Sequence, residues 1–251
     1  MDAMEALLNH RSIRKYLNKE IDDKTLDKIL EAAFRTSTTG NMQVYSIIVT
    51  KDEEKKKQLQ PLHFGQEMVS QAPVVLTFCA DFNRFNIWCK QRNAEPGYDN
   101  FLSFMTAAID ALIAAQNACV AAEANGLGIC YLGTTTYMAD KLIEFFKLPK
   151  GVIPITTITI GYPDENPELV DRLPAQGIVH YEEYKDFTKD AIDKIYEEKE
   201  SLQLTKDLIA ENKTENLAQI FANIRYTKKD NVLFSKSFLK VLKEQGFMNN
   251  G

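Results

Sequence analysis

The chain has 251 residues, 45% of them hydrophobic and 26% charged, enough to bury a substantial core as one large domain or two small ones without covalent staples. Its formal net charge of -5 counts against nucleic acid as the main partner. The four cysteines, Cys79, Cys89, Cys119 and Cys130, lie too far apart for a CxxC pair; with no signal-like N-terminal segment, buried free thiols in a cytoplasmic protein are expected.

In chain order, "DAMEALLNH" predicts a short helix, followed at residues 10–16 by "HRSIRKY". That stretch sets Arg11, Arg14 and Lys15 beside Ser12, and two readings stand: a solvated basic turn against a helix C-terminus, or an anion site built from arginine forks and a hydroxyl. In "DKTLDKILEAAF", Leu26, Ile29, Leu30 and Ala33 fall on one helical face. The hydroxyl-rich loop "RTSTTGNMQ" leads from that helix into "YSIIVT", which, like "PVVLTFCAD" and "VIPITTITIGYP", is β-branched, apolar and turn-bounded, and so predicts a strand buried on at least one face.

Between the second and third of these strands, residues 101–124 are apolar around nearly the whole helical circumference, leaving a thin polar stripe of Asp110, Gln116 or Asn117, and Glu123. Such a helix must be buried on most sides. The polar interruptions argue against a membrane span, and a chain with few strands can hardly cover the helix alone. A homodimer with this helix at its interface, Ala115 facing the partner, is therefore expected. "YLGTTTY" then joins Gly133 to three threonines, and "VDRLPAQ" places Arg172 in a proline-punctuated loop. From Glu182 onward the chain is helical and highly charged, so the expected organisation is an α+β core over residues 1–181 and a helical C-terminal extension over 182–251.

Familiar catalytic signatures are missing. "GLGICYLG" has Tyr131 where a GxGxxG fingerprint needs glycine, there is no GxxxxGK[ST], HExxH or GxSxG, and His10, His63 and His180 are too scattered to make a structural metal site.

What remains resembles the nitroreductase family of FMN-dependent oxidoreductases, and within it the large NADPH-preferring group. The likeness rests on "HRSIRKY", "FGQEM" before the second strand, "AAQNACVAAEANGLGICYLG" in the middle, "DRLPAQGIVHYEEY" after the third strand and "YTKKDNVLFSKSFLKVLKEQGF" at the end, in matching order and spacing. The resemblance implies an antiparallel-rich mixed sheet flanked by helices. It also implies a homodimer with FMN at the subunit interface, and ping-pong hydride transfer from NAD(P)H to nitroaromatics, quinones or free flavin. It assigns His10, Arg11 and Ser12 to the flavin phosphate and ribityl chain, with Arg172 reaching the same phosphate. Arg14 becomes the cation near flavin N1 and the C2 carbonyl, tuning a cofactor that itself carries the chemistry. Gln66 is placed on the pyrimidine edge, Thr38 and Thr39, with Gly40, near the ring, and Tyr131, Leu132, Gly133 and Thr134 by N5. The chain departs from the family pattern at Val170, which stands two residues before Arg172 where a lysine is common, and at Gly40 and Asn41 in a loop usually richer in serine.

Overall fold

A computed structural model describes residues 1–250, which divide into two compact units: Met1–Glu168 with the C-terminal stretch from Lys236, and Leu169–Ser235. The first unit runs α1 (Ala3–Leu8), α2 (Asp23–Phe34), β1 (Tyr45–Thr50), α3 (Glu53–Leu59), α4 (Met68–Gln71), β2 (Val74–Asp81), α5 (Asn83–Gln91), α6 (Phe101–Ala124), β3 (Gly128–Leu132), α7 (Thr134–Tyr137), α8 (Ala139–Phe146) and β4 (Val152–Gly161). The second carries α9 (Lys189–Ser201), α10 (Gln203–Asn212), α11 (Leu217–Ile220) and the beginning of α12 (Lys228–Gln245). Short polar side chains start several of these helices. Asp2, Asp22, Asp52 and Asn100 each accept from the backbone N–H three residues on, which satisfies a donor the helix itself cannot pair.

The four strands form one sheet in the order β1-β2-β4-β3, every neighbouring pair antiparallel. All residues of the two central strands, β2 and β4, are buried, as their unbroken apolar and threonine runs require. β3 was not legible as a strand, because its five residues follow Gly126 and begin on Gly128. It is an edge strand, and the segment beyond Arg11 covers its free side. Ser12 bridges Ile129 in parallel, the Ile13 N–H donates to the Ile129 carbonyl at 2.8 Å, and Tyr16 bridges Pro163 at the end of β4. This approach is so close that a Cβ at Gly128 would lie 2.5 Å from Ile13 Cγ1, and one at Gly161 would lie 2.7 Å from the Tyr16 ring.

On one face of the sheet lies α6, among the described residues the one helix long and apolar enough to cross a membrane by length and composition; half of its apolar window is buried inside the protein. Its alanines, Ala107, Ala111, Ala114, Ala115, Ala118 and Ala122, are fully buried and let α2 and the sheet approach closely. Ala115 therefore faces the core of its own chain, not a partner. The exposed face is the large-residue one, with Leu102, Met105, Ile109, Leu112 and Ile113 all accessible and Leu102 as much as 75% exposed. The small side chains are inside because helix and sheet can only pack tightly over alanine; the bulky ones are left on the opposite face.

Candidate functional site

Residues 10–16 are pinned at nearly every position, and the pins come from elsewhere in the chain. His10 Nδ1 lies 2.7 Å from Oε1 of Glu123, a buried carboxylate on α6. Arg11 donates from Nη1 to Asn166 Oδ1 at 3.2 Å, while its Nε is buried with no hydrogen-bond partner. A single carboxylate oxygen, Glu165 Oε1, accepts the backbone N–H groups of Arg14 and, at 3.1 Å, Lys15, and the Lys15 carbonyl accepts from the Asp164 N–H at 2.9 Å. The buried Tyr16 hydroxyl donates to the Ile13 carbonyl at 2.7 Å and lies 2.8 Å from Thr159 Oγ1; burial pushes its phenol up, so it stays a neutral donor. The segment is thus held by its backbone and its two ends. The guanidinium of Arg14 is left exposed, without an ion pair among the described residues.

A second group lies at the end of β3. Gln66 donates from Nε2 to the His63 carbonyl at 3.0 Å, and His63 Nδ1 lies 2.8 Å from Thr134 Oγ1. His63 is fully buried and its Nε2 has no partner; burial lowers its pKa to about 4, so the ring is neutral. Leu132 is buried and its carbonyl accepts from Thr135 Oγ1 at 2.9 Å. Gly133 is exposed, with open space where a Cβ would stand. Tyr131 donates to Gln116 Oε1 on α6 at 3.4 Å.

The hydroxyl-rich loop is the third group. Asp110, 1% exposed in the middle of α6, accepts the Thr39 N–H at 3.0 Å and the Thr39 hydroxyl at 3.2 Å. Thr38 begins the short turn that this contact holds, Gly40 and Asn41 both adopt positive φ, and buried Thr36 Oγ1 has no partner.

The polar stripe of α6 is therefore an anchor line: Asp110 holds Thr39, Gln116 holds Tyr131, Glu123 holds His10, and the Asn117 amide donates to the Ala32 carbonyl at 3.2 Å. Sequence reasoning saw these residues as interruptions of an apolar helix; their recurrence on one side was the available signal. Nothing in the sequence marked His63, Glu165 or Asn166. Arg172 lies in the second unit, where its Nη1 donates to the carbonyls of Val170, at 3.1 Å, and Asp171, at 3.0 Å. Lys199 of α9 pairs with Asp171 at 2.6 Å. Three of the four thiols, Cys79, Cys119 and Cys130, are buried as expected, and burial pushes Cys79 up to about 12; the expectation fails for Cys89, which is free and half-buried on α5.

Comparison with known proteins converges with this geometry. The chain is 37% identical over 185 residues to an FMN reductase [NAD(P)H] of Bacillus subtilis (strain 168), covering 73% of this chain and 74% of the relative. It is 37% identical over 182 residues to an oxygen-insensitive NADPH nitroreductase of Salmonella typhimurium, covering 72% and 74%. A crystal structure from Bacteroides fragilis NCTC 9343, of a protein described as an oxidoreductase, superposes with a TM-score of 0.96 at 54% identity, over 98% of this chain and 100% of that one. The "Nitroreductase family" profile matches residues 7–162, the stretch that contains α6 with its anchor line, the covered edge of β3 and the pinned arginine segment; the chain belongs to the nitroreductase family.

Proposed function

We propose that this protein is an FMN-dependent oxidoreductase that draws reducing equivalents from NAD(P)H and delivers them to small organic acceptors, nitroaromatics, quinones or free flavin, in a ping-pong sequence. The observation that carries the reading is the orphaned Nε of Arg11. A buried guanidinium N–H without an acceptor is costly unless a ligand supplies one, and a phosphate monoester matches it in charge and in forked geometry. Ser12 adds a hydroxyl beside it, and Gly133 leaves room for a flat ring to approach backbone at the end of β3. The residues present fit the cofactor.

Bound FMN would supply the hydride chemistry at N5, and the chain would bind, orient and tune it. Arg11 and Ser12 would hold the phosphate, with His10 kept in place by Glu123. The unpaired charge of Arg14 would lie against the pyrimidine side, where a fixed cation stabilises added negative charge. Gln66 has one amide hydrogen committed to the His63 carbonyl, leaving the other hydrogen and Oε1 for the pyrimidine edge. Thr38, Thr39 and residues 131–134 would line the ring. Arg172 commits only its Nη1 hydrogens to the two loop carbonyls, and its Nε and Nη2 hydrogens would serve the phosphate. The accessible apolar face of α6 supports a homodimer through that helix.

The test is the visible absorption spectrum of purified protein, followed anaerobically on adding NADPH or NADH. Bound flavin bands that bleach with a nicotinamide, then recover when a quinone or nitroaromatic is added, are expected. A colourless protein that takes up no FMN overturns the reading. A yellow protein inert to both nicotinamides makes it a flavin-binding protein without the activity.

A further inference from the structure

We infer that His63 is a positioning residue: its Nδ1 hydrogen donates to Thr134 Oγ1, turning the threonine hydroxyl proton outward as a donor to the bound ring, while its carbonyl fixes Gln66 beside it. The inference rests on the FMN reading above.

The argument begins with tautomers. His63 is fully buried, with one ring nitrogen 2.8 Å from Thr134 Oγ1 and the other, Nε2, without any partner. A doubly protonated ring would bury both a charge and an unpaired donor, and burial already holds the ring neutral. Of the two neutral forms, hydrogen on Nε2 leaves a buried N–H with no acceptor, among the rarest features of folded proteins. Hydrogen on Nδ1 leaves only a bare lone pair at Nε2, which is the milder defect. With Nδ1 as donor, Thr134 Oγ1 is the acceptor, and its own hydrogen is free to point away from the histidine.

Placement gives the bond its use. Thr134 follows Gly133 directly, where the backbone borders open space. The carbonyl of His63 accepts both the Gln66 N–H, at 3.2 Å, and the Gln66 side-chain amide, at 3.0 Å, across a turn in which Phe64 and Gly65 have positive φ. One buried side chain thus ties together two segments 71 residues apart in sequence, each carrying a residue assigned to the flavin. A histidine serving only as core filling needs no such pairing.

The experiment compares the parent with His63→Asn, His63→Leu, Thr134→Val and the double variant His63→Leu/Thr134→Val. Asparagine sets an amide N–H where Nδ1 lies; leucine fills similar volume without a donor. FMN affinity is read by quenching of flavin fluorescence, the bound flavin by its visible bands, and the His63 tautomer by nitrogen chemical shifts of the apoprotein. Leucine should weaken FMN binding about threefold to tenfold and shift the flavin bands. Asparagine should restore both, Thr134→Val should match leucine, and the double variant should be no weaker than either single one. Nitrogen shifts showing hydrogen on Nε2 overturn the inference without reference to flavin. So does a His63→Leu protein that binds FMN with parental affinity and bands, or one in which asparagine fails to restore them. A parent that takes up no FMN overturns the FMN reading and this inference with it.

Discussion

Acidification tests the buried histidine directly. His63 in the folded protein gives up its proton at a pKa of about 4, against 6.5 for an exposed imidazole, and burial is the cause. Between those values the unfolded chain carries a proton on residue 63 that the folded chain does not, so lowering the pH favours unfolding. Stability is present above pH 6.5 and is lost as the pH falls toward the folded pKa. With those two pKa values, moving from pH 7.5 to pH 5 removes about 2 kcal/mol, a large share of the ~5–15 kcal/mol typical of a native protein. The assay is urea unfolding of the parent and of His63→Asn at both pH values, so that all other titrations cancel in the difference. The parent should lose about 2 kcal/mol more than the variant. Parallel losses in the two proteins, or a steeper loss in the variant, would show that residue 63 is charged or solvated in the folded state, and the reasoning fails.

Gly128→Ala should destabilise the protein by about 1–3 kcal/mol and deplete bound flavin together, because the new Cβ meets Ile13 at 2.5 Å and displaces the segment that carries Ser12 along the β3 edge; thermal unfolding and flavin content check it. Arg11→Ala should weaken FMN binding by roughly tenfold to a hundredfold, the effect of removing a charge-assisted phosphate contact, measured by equilibrium dialysis. Arg14→Ala should retain FMN but lower its midpoint potential, by about 30 mV for each ~1.4 kcal/mol of differential stabilisation lost, read by spectroelectrochemical titration. On α6, Ile109→Glu should yield a folded monomer in sedimentation, whereas Ala115→Glu, which buries an unpaired charge in the core, should fail to fold.

Much of the fold was legible because its signals are local. The apolar and threonine runs of β2 and β4 state their burial within ten residues, while β1, equally β-branched, is an edge strand left largely half-buried with Val49 exposed. β3 was not legible, since it is only five residues long, begins on Gly128, and is defined by its pairing with β4, Gly128 opposite Gly161. The interface side of α6 was misjudged for a physical reason: a helix apolar around nearly its whole circumference does not mark which side faces outward, and here the close approach over alanine is to the chain's own sheet, with Ala115 inside. The arginine segment was legible by residue type. Its anchors were not, because a carboxylate such as Glu165 that accepts two backbone N–H groups looks in sequence like any surface glutamate.

One helix in this protein answers to two neighbours. The apolar side of α6 faces outward through Leu102, Met105, Ile109, Leu112 and Ile113, while its polar side grips two loops and the edge strand β3 through Asp110, Glu123 and Gln116. Anything that moves the rod along or about its axis is felt at His10, Thr39 and Tyr131 at once. Thermodynamic reciprocity then demands that whatever factor by which occupancy of those loops tightens the outer contact, the outer contact tightens occupancy by the same factor. In the homodimer proposed above, dilution and cofactor depletion would be two routes to a single state, and a screen for variants that keep their colour when diluted would select, unasked, for the grip of α6.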